Sequence, residues 1–400
     1  MKLRLNKTVA VLAASGLMLL AIPAVGVAST SSAATKAKAK PTYVIGYEGP
    51  LSGGNLQLGL NMVFAVELAI NQANASGKLP FKLQLSRYDD QGDPTISPTE
   101  AQSAVANKKL IAVVGPAFSG ATAAAEPYYS AAHIATVSPS ATNPTLATSG
   151  WKNFFRVVAD DGVQGPADAD YLVKTKGFKT LYVVNDGSSY GAGLASAVAT
   201  EATSDGATVT PVTVPGTAQC SDGTASATEY SAAATQAVAS GAKAMFYGGY
   251  YCDLGLFLGA LSSAGYSGTI MSGDGSDSPA LIQGTTPASA ANGVLVSCAC
   301  AASTNASFNK GFQNLANFSA TTATYAPESY DATNTIIAGM KALIAQKKPI
   351  TRANLVTELH KISYQGITKK ISFQSDGNIS GSAIYVSQVK SGKVVQLGLE

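Results

Sequence analysis

Residues 110–114 read LIAVV, five apolar side chains in a row that stop at Gly115-Pro116. A strand apolar on both faces is stable only inside a sheet covered on both sides, which in practice means parallel strands with helices packed above and below. The rest of the chain keeps that rhythm. Strands are expected at 43–47, 81–88 and 110–114, and helices at 57–74 and 97–108, with Asp93-Pro94 as a break. After Gly150 the alternation restarts, with strands at 179–185, 207–214, 242–247 and 269–272 and helices at 192–203, 227–239 and 254–264. Helices at 308–318, 331–346 and 352–361 follow, then a closing hairpin with strands at 369–373, 383–389 and 393–397 and its tip at Ser391-Gly392. The alternation predicts two doubly wound parallel sheets in one α/β chain.

In such sheets, ligands bind outside the carboxyl ends of the strands. Gly115-Pro116, Ser138-Pro139, Asp186-Gly187, Gly248-Gly249 and Gly273-Asp274-Gly275 all fall there. Loops of small residues let backbone N–H groups approach a ligand closely.

The N-terminus carries Lys2, Arg4 and Lys7, then an apolar run over 9–27 and a small-residue site at Gly26-Val27-Ala28. This reads as a signal peptide over 1–28, followed by a polar flexible leader over 29–41. No cysteine precedes Cys220, so a lipid anchor at the cleavage point is not expected, and the mature chain should be soluble in the periplasm or outside the cell. The net charge of +3 includes the lysines of those first segments, which argues against a nucleic-acid partner. With two histidines in 400 residues, no metal site is expected. Four cysteines allow three pairings in an exported chain. Cys220 with Cys252 is the expected pair, because both follow strands of the second sheet. That leaves Cys298 and Cys300 as a short bridge or two thiols; the alternative joins Cys252 to one of these.

Eight segments in order resemble the type I periplasmic binding proteins of the branched-chain amino-acid family, the receptors of ABC importers. They are IGYEGPLSG (45–53), YDDQGDP (88–94), AVVGPAFSG (112–120), VSPSATNP (137–144), FFRVVADDGVQG (154–165), VVNDGSSYGAG (183–193), FYGGYY (246–251) and SGDGS (272–276). The resemblance implies two doubly wound lobes joined by three crossover strands. Lobe one would be 41–160 plus 298–376, and lobe two 161–297 plus 377–400. It further implies a monomer without cofactor or catalytic residues that closes on a small ligand, an amino acid foremost, and passes it to a membrane permease.

The same resemblance assigns roles. Ser119, Ser140 and Thr142 would meet a ligand carboxylate, with Ser119 at a helix start where an N-cap serine is the plainer reading. Asp274 would accept the ammonium, where leucine-type receptors often carry the longer Glu. Asp161 matches an acid between the lobes, or else a solvated hinge acid. Tyr190, Tyr250 and Tyr325 would pack on the ligand, while Leu58 stands where the family often has an aromatic.

Three other readings compete. The family also includes receptors for amides, urea-like compounds and aromatic acids. A soluble sensor of the same fold is a second possibility; a sensor would ordinarily continue into a membrane span, and the sequence stops at Glu400. Finally, Gly187-Ser188-Ser189-Tyr190-Gly191 fits G-x-S-x-G, the nucleophile elbow of serine hydrolases, with His360 the one histidine downstream of it.

Overall fold

The computed structural model describes residues 39–214, 216, 227–381 and 383–399. The expected signal peptide, nearly all of the leader, and Cys220 lie outside these residues. The segment Lys40–Glu400 forms one compact unit.

Two sheets organise it. The first holds β1 (Thr42–Gly49), β2 (Lys82–Asp89), β3 (Leu110–Val114), β4 (Ala135–Ser138) and β5 (Phe154–Arg156), all parallel, in the order β2-β1-β3-β4-β5. The second holds β6 (Thr180–Asn185), β7 (Thr208–Thr213), β8 (Ala244–Gly248), β9 (Thr269–Ser272) and β10 (Leu295–Cys298) as parallel strands. A two-residue pair, β11 (Tyr364–Gln365) with β12 (Lys370–Ile371), stands apart as its own small sheet. An antiparallel hairpin of β13 (Tyr385–Lys390) and β14 (Lys393–Leu399) extends the second sheet along β10, giving the order β14-β13-β10-β9-β8-β6-β7. The doubly wound α/β class expected from the alternation is what the chain adopts.

Local chemistry explains the details. β3 is buried along its whole length, as a central parallel strand should be. β7 contains Pro211 and is mostly exposed, and it lies at the sheet edge, where a missing N–H costs least. The hairpin turns at Ser391 and Gly392 with φ of 49° and 76°, the pair of positive values that a tight two-residue turn requires. The expected strand at 369–373 is corrected: Lys370 and Ile371 pair with β11 rather than with the hairpin, and Phe373 makes an isolated antiparallel bridge to Ile379. The Asp331 carboxylate accepts from the N–H groups of Ile367 (2.8 Å) and Thr368 (2.9 Å) and anchors the turn between β11 and β12.

The helices after β10 return to the first sheet. Helix Ala326–Ala345 packs against helix Leu56–Ala75. Arg352 donates to the carbonyls of Leu110 (3.0 Å) and Asn107 (2.9 Å), tying helix Arg352–Leu359 to β3. The chain thus passes between the sheets after β5, after β10, and again on the way to β13. Cys298 and Cys300 are disulfide-bonded to each other at the second of these passages, which rules out the alternative pairing of either with Cys252. Cys252 is itself disulfide-bonded, and its expected partner Cys220 falls outside the described residues.

The first sheet buries two acids with their own donors. Glu48 accepts from Ser97 (2.5 Å) and from the Tyr129 hydroxyl, and Glu126 accepts from Thr136 and from Asn153 (2.7 Å). Burial pushes each up to about 7, with those donors pulling the other way.

Candidate ligand cleft

The carboxyl ends of β3, β4 and β5 face those of β6, β8 and β9, and the two sets of loops touch. Phe118, after β3, stacks on Tyr250, after β8, with ring centroids 4.2 Å apart and planes 20° from parallel. Asn143, after β4, donates to the carbonyl of Ser189, after β6, at 2.6 Å. The Gln57 N–H reaches the Tyr251 hydroxyl at 3.1 Å. The structure is therefore one in which the opposing loops are closed on each other.

On the side of the first sheet the groups are hydroxyls. Ser119 opens helix Ser119–Ala131 as its first helical residue; Phe118 occupies the cap position, so the N-cap reading of Ser119 is corrected. Its Oγ accepts from the Asn143 N–H at 3.2 Å, which leaves the hydroxyl proton free to donate elsewhere. The open N–H groups of that first turn add positive potential. Thr142 is fully buried and its hydroxyl has no partner among the described residues. Ser140 differs, because its hydroxyl donates to the Ala117 carbonyl at 2.7 Å. Leu58 is 1% exposed and belongs to the core.

On the opposite side the groups are acids and phenols. Asp274 follows β9, and its carboxylate accepts from the hydroxyls of Tyr190 (2.9 Å) and Tyr325 (2.7 Å). The same Tyr190 oxygen accepts the Gly275 N–H at 2.9 Å, so Asp274, Tyr190 and the turn after β9 form one network. The Asp274 carboxylate is thus bonded to two tyrosines, one of which also holds the turn after β9. Tyr325 reaches it from the start of helix Ala326–Ala345 with φ of 65°, a left-handed value uncommon for a bulky residue. Tyr190 and Tyr250 lie with ring centroids 5.1 Å apart.

Asp161 is fully buried, which corrects the solvated-hinge reading. It begins helix Asp161–Asp170, capped by Asp160, and neither of its carboxylate oxygens has a hydrogen-bond partner among the described residues. The one buried arginine nearby, Arg156, is otherwise committed: it donates to Asn378 (2.6 Å), Asn143 O (2.9 Å) and Asp160 (2.9 Å). Burial and then the Asp274 charge push the Asp161 carboxyl well above its usual range. The Thr142 hydroxyl beside it works against this without reaching hydrogen-bond geometry. Burial likewise raises Asp274, against the pull of Tyr325, Tyr190 and Gln164.

Two residues of the region were not anticipated. Gln164 is fully buried, donates to Ser297 Oγ at 2.9 Å, and its Oε1 has no partner among the described residues. Its signal was its place three residues after Asp161, one turn along the same helix. Phe118 is flagged by no sequence pattern; only the stack on Tyr250 reveals it. The hydrolase geometry is not assembled. Ser189 lies against Asn143, whereas His360 packs on Phe155 and contacts the Lys152 carbonyl at 2.8 Å.

Comparison with known proteins agrees with this architecture. The sequence profile of the periplasmic binding protein family matches residues 42–393. A protein of Pseudomonas aeruginosa described as an amino acid binding protein is 34% identical over 177 residues, covering 44% of this chain and 47% of the relative. Leu/Ile/Val-binding protein homolog 3 of Brucella melitensis is 28% identical over 253 residues, covering 62% of this chain and 66% of the relative. The chain thus aligns with less than two thirds of the length of these curated relatives. Among solved structures, the substrate-binding protein of a branched-chain amino-acid transporter from Streptococcus pneumoniae, crystallised with isoleucine, superposes with a TM-score of 0.77 at 23% identity. That match covers 90% of this chain and 99% of the other, a likeness of fold. No helix among the described residues is long and apolar enough to cross a membrane.

Proposed function

Because the chain belongs to the periplasmic binding protein family, we propose that it is an exported receptor that closes its two halves on a free amino acid and delivers it to an ABC importer. The observation that carries this reading is the asymmetry of the cleft. One wall offers the Ser119 hydroxyl at a helix start and the Thr142 hydroxyl in the loop after β4, and the other offers two buried acids, Asp161 and Asp274, with no basic side chain among the described residues bonded to either. A buried carboxylate without a cation is costly. An α-ammonium supplies that cation, while the ligand carboxylate takes the hydroxyls and the helix N–H groups. Tyr190 and Tyr250 then cover the side chain with flat, partly apolar surface.

Lobe one is proposed as 41–160 plus 298–376 and lobe two as 161–297 plus 377–400, with three passages limiting their relative motion to a hinge. A ligand favours closure only to the extent that it touches both lobes, as this zwitterion would. Mass spectrometry of small molecules released from the purified chain tests the reading. An α-amino acid is expected; an amine-free aromatic acid or an amide as the sole bound compound overturns it.

A further inference from the structure

We propose that the passage between the sheets holds a second binding site, for a small organic dicarboxylate, separate from the cleft. A cavity of about 490 Å³ lies there, and none of the cleft residues described above lines it. Its volume is in the range of ordinary small-molecule sites. Its walls come from segments of different parentage: 299–304 leaves β10 for the first sheet, 367–370 carries β12, and Ser380, Gly381 and Ala383 precede β13.

The lining is chemically one-sided. Lys369 and Lys370 are its cations, and Glu328 its one acid. Glu328 is 1% exposed, and its Oε2 has no hydrogen-bond partner among the described residues. Burial pushes it up to about 7 against the pull of the Lys369 charge, so near neutrality about half of it carries a proton and can donate. Two ammonium groups and a carboxylic acid favour a ligand with two anionic ends, and hydroxyls of Ser303 and Thr304 complete a polar wall. The Asp331 carboxylate, which fixes the turn at 367–368, keeps the Lys369 side of the cavity in place.

The position gives the site a consequence. Segment 301–302 lines both this cavity and a smaller one of about 60 Å³, so it borders open space where the chain crosses between sheets. A ligand that bridges 299–304 and 367–370 ties two of the passages together and biases the hinge. By linkage, a ligand in the cleft then changes dicarboxylate affinity by the same factor.

Calorimetric titration of the full chain with succinate, and with succinamide as its neutral counterpart, tests this. Wild type should bind succinate and not succinamide. Lys369→Met, which keeps the aliphatic stem, should weaken succinate roughly tenfold or more, and Lys369→Arg should restore it. Because Lys369 is partly exposed, both variants should fold, and their circular dichroism melts check this. Absence of succinate binding to wild type at millimolar concentration, or unchanged binding to Lys369→Met, overturns the proposal. So does strictly competitive displacement of succinate by leucine, with an apparent Kd that rises without limit, since that places the anion in the cleft; coupling through the hinge reaches a plateau instead.

Discussion

Among the buried acids, two pairs are held differently. Glu48 and Glu126, beneath the first sheet, each receive two donors from their own surroundings: Ser97 and Tyr129 for one, Thr136 and Asn153 for the other. In the cleft, Asp274 has two tyrosines but no cation, and Asp161 has no hydrogen-bond partner among the described residues. Burial alone therefore does not mark a site, since all four are buried and all four are raised. Glu48, Glu126 and Asp274 each accept two side-chain hydrogen bonds, and what distinguishes the cleft pair is Asp161 beside Asp274, an acid that accepts none from the described residues. Under the proposed function, an ammonium would complete the unspent acceptors of Asp161 and meet the charge of Asp274.

The largest expected effect breaks the cleft side of this comparison. Asp274→Asn keeps the shape and can still accept from one tyrosine, but it removes the charge that would face an ammonium. Breaking a buried ion pair costs about 3–5 kcal/mol, roughly two to four decades in affinity. Titration of both proteins with leucine, alanine, phenylalanine and benzoate measures it. Amino acids should lose affinity while benzoate does not; equal amino-acid binding by both proteins removes Asp274 from the ammonium site.

The next effect concerns the other pair. Glu48 and Glu126 have folded-state values near 7 against an ordinary 4.5, so the unfolded chain ionises first as pH rises. Their stabilisation is full below about pH 4.5 and is lost as pH climbs through about 7, on the order of 2–3 kcal/mol for each acid. The ligand-free chain should melt at a higher temperature at pH 5 than at pH 8. Glu48→Gln should flatten that slope, because both Ser97 and Tyr129 carry hydroxyls that can turn to accept from the new amide. A melting temperature that rises from pH 5 to pH 8 contradicts the assignment.

The sequence announced the layers better than it announced these differences. Continuous apolar runs such as LIAVV, whose five residues are all buried, made β3 plain. β4, β5 and β10, at three or four residues each, are too short for periodicity to register and became visible only through their neighbours. In the cleft, Tyr190, Tyr325 and Asp274 were legible as residues, and the structure adds that they share one hydrogen-bond network. Whether a side chain is spent on its own backbone is a three-dimensional fact. Asp160 and Asp161 are adjacent and chemically identical in sequence, yet Asp160 takes Arg156 and Asp161 is left without a hydrogen-bond partner among the described residues.

The smallest expected effect separates Ser140 from Thr142, two hydroxyls of the same loop that the sequence ranks equally. The Ser140 hydroxyl has one proton, and it goes to the Ala117 carbonyl at 2.7 Å; Met62 sulfur lies on the same oxygen at 3.2 Å. A hydroxyl used this way holds the loops after β3 and β4 together and has no proton left for a ligand carboxylate. Ser140→Ala should therefore lower stability by the net value of one hydrogen bond, about 0.5–1.5 kcal/mol, and leave amino-acid affinity within about threefold. Thr142 has no such partner. If its proton serves the ligand, Thr142→Ala should cost about 1.5–3 kcal/mol of binding, as a bond to a charged group does, and change the ligand-free melt little. Paired titrations and melts of the two variants make the comparison. A Ser140→Ala protein that binds as poorly as Thr142→Ala would mean that the Ala117 contact gives way when the ligand arrives, and that the hydroxyl wall is built from three side chains rather than two.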